Sequence, residues 1–140
     1  MKVGFTCGAF DLLHAGHILM LEEARSQCDY LIAGLHSDPN IDRKSKNKPI
    51  QALEERLIQL KAVKYVDLIV LYDTEGDLYR MLKAIKPDVR IIGADYVDKS
   101  FTGDDLGIDL FFNSRNHSFS SSGLRKRIQA AENLKLKEKK

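Results

Sequence analysis

The sequence predicts an α/β fold, namely a single domain built on a doubly wound sheet of five parallel strands. Short apolar runs alternate with stretches that have the 3.6-residue periodicity of amphipathic helices, and this alternation is typical of a parallel sheet with helices on both faces. The chain has 140 residues, of which 44% are hydrophobic, and both values are normal for one domain with one core. Right-handed crossovers then place the helices on the two faces.

The predicted elements alternate in order along the chain. The runs predicted as strands are residues 3–7, 30–35, 65–71, 89–93 and 108–112. The stretches predicted as helices are residues 17–28, 51–63, 78–85 and 124–131. Pro87 ends the third helix, and three serines precede the last one as candidate caps. The order indicates a Rossmann-like domain over residues 1–132, followed by a basic C-terminal tail over residues 133–140.

Charge, apolar content and cysteine content narrow the class of protein. The 22 basic and 20 acidic residues leave a net charge of +2, whereas nucleic-acid-binding domains usually carry a strong basic excess. No apolar run approaches the ~20 residues that cross a bilayer. Cys7 and Cys28 are too few for a disulfide framework, and the first residues do not show the pattern of a signal peptide. We therefore expect a cytoplasmic protein with reduced core thiols, and neither nucleic acid nor membrane as a partner.

The unusual polar residues follow the predicted strands, where ligands of such sheets bind. These stretches are residues 8–17, 36–48, 93–99 and 113–122. In the first, His14 and His17 stand three apart at a strand-to-helix turn, with Gly16 between them. A glycine allows close approach of a ligand, and a helix N-terminus offers free N–H groups to phosphate. The turn thus favours an anion site, although two histidines are also compatible with half of a zinc site or with ordinary polar contacts.

Several segments together resemble one known family. GAFDLLHAGH at residues 8–17 resembles the signature G-x-F-D-x-x-H-x-G-H of the cytidylyltransferase-like nucleotidyltransferases. RNHSFSSS at residues 115–122 resembles the second signature of that family, R-T-x-G-I-S-T-T, and GADY at residues 93–96 resembles its G-x-D-[WY] segment. The resemblance therefore covers nearly the whole chain and implies a nucleotidyltransferase domain over residues 1–132.

The resemblance implies a role for each matching residue. Residues expected to act on the reacting phosphates are His14, His17, Lys44 and Lys46. Residues expected to bind the nucleotide are Gly8, Ala9, Phe10, Gly16, Arg56, Asp95, Arg115, Ser120, Ser121 and Ser122. Mg²⁺ is expected to accompany the nucleoside triphosphate, bound mainly by its phosphates rather than by protein side chains. Three alternatives without a catalytic role stay open. Arg56 could be a surface residue, Lys44 and Lys46 could belong to a solvated charge run, and the three serines could only cap a helix.

The expected reaction is transfer of CMP from CTP to a phosphate monoester, with release of pyrophosphate. Glycerol 3-phosphate is the acceptor we expect, because size and signatures are most similar to glycerol-3-phosphate cytidylyltransferases. Arg115 favours CTP, since a guanidinium is a pure donor and cytosine offers acceptors. Residues 116–118 depart from the second signature, which puts base choice in doubt. The alternatives are an ATP-dependent adenylyltransferase of the heptose-phosphate or FAD-synthesis type and a non-catalytic nucleotide sensor. Because family members of this size commonly form dimers, the resemblance also implies a homodimer.

Overall fold

The computed structural model describes residues 1–139 and contains five parallel strands in that range. The strands are β1 (Val3–Gly8), β2 (Tyr30–His36), β3 (Leu68–Tyr72), β4 (Val89–Ile92) and β5 (Asp109–Phe112). They lie in the order β3-β2-β1-β4-β5 and every pairing is parallel. This confirms the predicted Rossmann-like sheet. The chain reverses its direction of travel between β1 and β4, which is the switch point where ligands of open parallel sheets bind.

The helices pack on both faces of this sheet. They are α1 (Ala15–Ser26), α2 (Leu53–Lys61), α3 (Glu75–Ile85) and α4 (Ser121–Glu138), and a short 3-10 helix spans Ala94–Tyr96. One core cluster joins α1 and α2 to the sheet through Leu21, Leu60 and Leu31. A second cluster on the other face contains Phe5 and Leu82 of α3. Burial of these apolar side chains fixes α1 at the carboxyl end of β1, where the first motif lies.

Two element boundaries differ from the predictions in ways that matter for the site. Helix α1 begins at Ala15, not at residue 17, because the His14 side chain caps it by accepting a hydrogen bond from Gly16 N. Helix α4 extends from Ser121 to Glu138, beyond the predicted 124–131. Residues 133–138 of the predicted tail are thus helical and continuous with α4, because they consist mostly of good helix formers. Lys140, the last residue of that tail, lies outside the described residues.

Candidate active site

The turn between β1 and α1 is a strained loop that the segment before α2 stabilises through hydrogen bonds. Phe10 and Leu12 have φ values of 50° and 52°, which are uncommon for residues with a side chain. The Asp11 carboxylate accepts hydrogen bonds from Ile50 N at 2.8 Å and Gln51 N at 2.9 Å. Gln51 Oε1 accepts a third bond, from Leu12 N at 2.8 Å. The segment before α2 therefore holds the motif loop in its strained form.

Arg56 supports the same loop from beneath. Its side chain is 2% exposed, and its guanidinium donates to the carbonyl oxygens of Gln51 (3.1 Å), Ala9 (3.0 Å), His36 (2.6 Å) and Ser37 (2.5 Å). Burial lowers the pKa of the Arg56 guanidinium, and the nearby Asp11 carboxylate opposes this only in part. Because its donors are engaged by these carbonyls, the structure supports a positioning role, and a contact between Arg56 and nucleotide phosphates stays a prediction. The alternative that Arg56 is a surface residue is wrong.

The two motif histidines are oriented by backbone groups. His14 Nδ1 accepts from Gly16 N at 3.0 Å, and His17 Nδ1 accepts from His14 N at 3.2 Å. With Nδ1 occupied as an acceptor, each neutral imidazole carries its proton on Nε2. The ring centroids are 4.0 Å apart, and His14 Nε2 lies 3.2 Å from Ser121 Oγ of α4. The first motif and the serine segment therefore meet at His14.

Burial lowers the pKa of both imidazoles, which favours their neutral forms. Burial, reinforced by neighbouring His14 and opposed by Asp11, lowers the pKa of His17 to about 4. Burial and the nearby His117 hold the pKa of His14 below its ordinary value. Gly16 makes this tight arrangement possible, because a Cβ there would lie 2.8 Å from His14 Cε1. Each ring of the pair therefore carries an Nε2–H of fixed direction, and that of His14 faces Ser121 Oγ.

A cavity of about 640 Å³ opens beside the histidines at the carboxyl ends of β4 and β5. It is of the size that binds small molecules and cofactors. The predicted site residues that line it are His14, Gly16, His17, Asp95, Arg115, Ser120 and Ser121. The Ser120 side chain caps α4 by accepting from Gly123 N at 3.0 Å, so the serine cap is confirmed. The free N–H groups of the first turn of α4 suit an anion at this cavity.

A second cavity of about 340 Å³ lies on the other side of His17. The predicted site residues that line it are Ala9, Phe10, His17, Lys46, Ser121 and Ser122. His17 and Ser121 line both cavities. Gly8, Lys44 and Arg56 line neither of the two. The structure thus places Lys46, but not Lys44, beside the histidine that separates the cavities.

Two side-chain contacts of the site link residues far apart in the chain, and the sequence patterns do not indicate them. Arg125 of α4 lines the second cavity and pairs with Asp11 at 3.1 Å. Burial by itself would raise the pKa of Asp11, but the backbone hydrogen bonds and Arg125 hold it below its ordinary value. Glu23 of α1 accepts from Asn113 Nδ2 at 2.9 Å and from Ser114 N at 2.7 Å. Asp11 is part of the first signature, but no local signal marks its partner or the partners of Glu23.

The parallel sheet with a histidine turn at its switch point defines a nucleotidyltransferase-like protein. The chain belongs to the cytidylyltransferase-like family, whose model matches residues 5–127. Bifunctional protein HldE from Caulobacter vibrioides is 42% identical over 107 residues, which cover 76% of this chain and 22% of that protein. Bifunctional protein HldE from Campylobacter concisus is 38% identical over 133 residues, covering 94% and 28%. The chain thus spans about a quarter of the length of these curated relatives.

Solved structures share the same fold. A lipopolysaccharide core biosynthesis protein from Thermoplasma volcanium has a TM-score of 0.60 at 25% identity, covering 94% of this chain and 89% of that one. Pantothenate synthetase from Thermus thermophilus has a TM-score of 0.58 at 18% identity, covering 90% and 64%. In the part of the chain that the structure describes, no helix is both long and apolar enough to cross a membrane.

Proposed function

We propose that the protein transfers AMP from ATP to a phosphorylated sugar of the heptose-phosphate type, with release of pyrophosphate. The observation that carries this proposal is the meeting of two cavities at His17 and Ser121. The larger cavity has room for a nucleotide, and the smaller one holds a lysine suited to an acceptor phosphate. A transfer between two phosphorylated substrates requires such adjacent sites, with the reacting groups held in line.

The chemistry follows from the placement of these groups. An acceptor phosphate oxygen attacks the α-phosphorus, a new P–O bond forms, and the bond to the bridging oxygen breaks so that pyrophosphate leaves with the electron pair. The acceptor is already ionised at neutral pH, so no general base is needed. His14 and His17 would donate Nε2–H to the transferring phosphate, and Lys46 would neutralise the acceptor. Donors fixed before reaction stabilise charge in the transition state without reorganisation.

Sequence similarity supports ATP over the CTP that the sequence first suggests. NKP at residues 47–49, followed by LEER at residues 53–56, resembles heptose-phosphate adenylyltransferases, and the HldE relatives match over this region. The cavity of about 640 Å³ has room for either nucleotide, so its size does not favour one base over the other. Arg115, the residue that favours CTP, also lines this cavity. CTP with glycerol 3-phosphate is therefore the competing substrate pair.

Mg²⁺ would enter with the triphosphate. Within residues 1–139, no group of three or more His, Cys, Asp or Glu side chains is arranged to hold a metal ion. We expect the ion to be carried mainly by the substrate phosphates. Bound to those phosphates, Mg²⁺ would neutralise charge on the leaving pyrophosphate. Asp95 is the predicted site residue with a carboxylate at the nucleotide cavity.

The test is a pyrophosphate-release assay that crosses ATP and CTP with a heptose phosphate, other sugar phosphates and glycerol 3-phosphate. We expect release with ATP and a sugar phosphate, and its loss in His17→Ala protein that remains folded. Leu136→Ala, far along exposed α4, is a control that should keep wild-type turnover. Turnover only with CTP and glycerol 3-phosphate would contradict the proposed substrates, and no turnover with any pair would contradict the proposed reaction.

A further inference from the structure

A third histidine repeats the hydrogen-bond arrangement of the two motif histidines. His117 Nδ1 accepts a hydrogen bond from Phe119 N at 3.1 Å, just as the Nδ1 atoms of His14 and His17 accept from backbone N–H groups. With Nδ1 accepting this bond, Nε2 of the His117 ring carries a proton. Within residues 1–139 the structure gives that Nε2 no hydrogen-bond partner, so its donor is available to a ligand.

The position of the His117 ring is fixed next to the motif turn. His117 lines the larger cavity, and its Cε1 lies 3.0 Å from the point where a Cβ on Gly16 would be. The ring stacks on Phe119, with centroids 5.4 Å apart and planes 27° apart. Stacking and the Nδ1 hydrogen bond together restrict the ring, so little entropy is lost when a ligand binds to it.

The surroundings of His117 favour an anion. The His14 ring is close enough that His117, after burial, contributes to its lowered pKa. Glu22, Glu23 and Asp95 also line the cavity. The Glu22 carboxylate accepts from the Tyr65 hydroxyl, and that of Glu23 is bound to Asn113 and Ser114. The same cavity wall includes Ser120 at the start of α4, whose first N–H groups point toward its N-terminus. His117 and the start of α4 thus line the same cavity.

We propose that His117 is a third imidazole N–H donor, which binds the triphosphate of the nucleotide in the larger cavity. The inference rests on the proposed function and adds a residue that stands at a variable position of the second signature. His117 lies in the loop between β5 and α4 and is close to Gly16 of α1, so it holds the triphosphate next to the motif histidines. It contributes to ground-state binding of the nucleotide, so its loss raises KM more than it lowers kcat.

Two amide variants, each of which replaces one ring nitrogen of His117, separate ligand binding from a merely structural role. In His117→Asn the amide oxygen can replace Nδ1 as the acceptor for Phe119 N, but no donor reaches the position of Nε2. In His117→Gln the amide nitrogen reaches that position instead. We expect His117→Asn to weaken nucleotide binding roughly ten- to a hundredfold, the effect of losing a hydrogen bond to a charged group, and His117→Gln to retain most of the affinity.

The measurement is calorimetric titration of each folded variant with ATP, with CTP and with adenosine, in the presence of Mg²⁺. We expect the loss in His117→Asn for the triphosphates and unchanged binding of adenosine. Wild-type affinity for triphosphates in His117→Asn, or a loss that is equal for adenosine, would overturn the inference while leaving the proposed function intact. If the wild type binds CTP but not ATP, the proposed base is wrong and the same comparison with CTP decides the role of His117. Failure of the wild type to bind either triphosphate would overturn both.

Discussion

Replacing Arg56 with methionine should lower the free energy of unfolding, because the Arg56 guanidinium is bonded to backbone carbonyls. Methionine keeps an unbranched stem but removes every N–H donor. The carbonyl oxygens of Ala9, His36, Ser37 and Gln51 would then lose their partner in a site where Arg56 itself is only 2% exposed. The four carbonyls lie on the motif loop, the end of β2 and the segment before α2, so one substitution loosens all three.

The expected loss of stability follows from these contacts. Each buried acceptor left without a donor costs about 1–3 kcal/mol, but the loops can relax and water can reach some of the oxygens. The total should therefore be roughly 3–5 kcal/mol, the range found when one partner is removed from a buried charged network. That is a large part of the 5–15 kcal/mol that holds a typical domain, and it corresponds to a fall in Tm of roughly 10 °C or more for a chain of this size.

Thermal and urea unfolding of Arg56→Met and the wild type measure this difference. Arg80→Met is the matched control, because the Arg80 side chain is 72% exposed and makes a surface ion pair with Asp77, so it should change stability by less than about 1 kcal/mol. A wild-type Tm for Arg56→Met, together with a raised KM for the nucleotide, would refute the structural role and restore Arg56 as a phosphate ligand.

Four further predictions concern His17, Arg115 and assembly. His17→Ala should lower kcat by roughly 100- to 1000-fold with little change in the KM for nucleotide, since a fixed donor acts mainly in the transition state; equal effects on both parameters in steady-state kinetics would contradict this. Because burial lowers the folded-state pKa of His17 to about 4, below its ordinary value, its contribution to stability is complete above pH 6.5. That contribution, at most about 3 kcal/mol, is lost as the pH falls toward 4, and urea unfolding of His17→Gln should show a smaller acid slope. Arg115→Ala should leave kcat/KM higher for ATP than for CTP; a CTP preference in the wild type that disappears in the variant would contradict the proposed base. Sedimentation at micromolar concentration should detect a homodimer, and monomer alone would contradict that expectation.

Local patterns predicted the type of every strand and α-helix, because apolar periodicity and turn residues act over short distances. Their limits were less accurate. The apolar residues that predicted α3 start at Leu78, but the helix begins at Glu75. Thr74 caps this earlier start, because its side chain accepts a hydrogen bond from Asp77 N. That Thr-x-x-Asp pair is visible in the sequence as a capping pattern. The length of α4 was underestimated, because its exposed residues lack the apolar stripe by which helices are recognised.

The sequence by itself determined the fold class, the family and the histidine turn, since each depends on residues close together in the chain. His14, Gly16 and His17 form their site within one turn of helix. Only the tertiary structure decided that Arg56 is buried under the motif loop and that Asp11 pairs with Arg125, 114 positions away. These choices depend on which strands become neighbours and on which polar groups are then buried. Burial and long-range hydrogen bonding arise when the whole chain packs, and no local pattern encodes them.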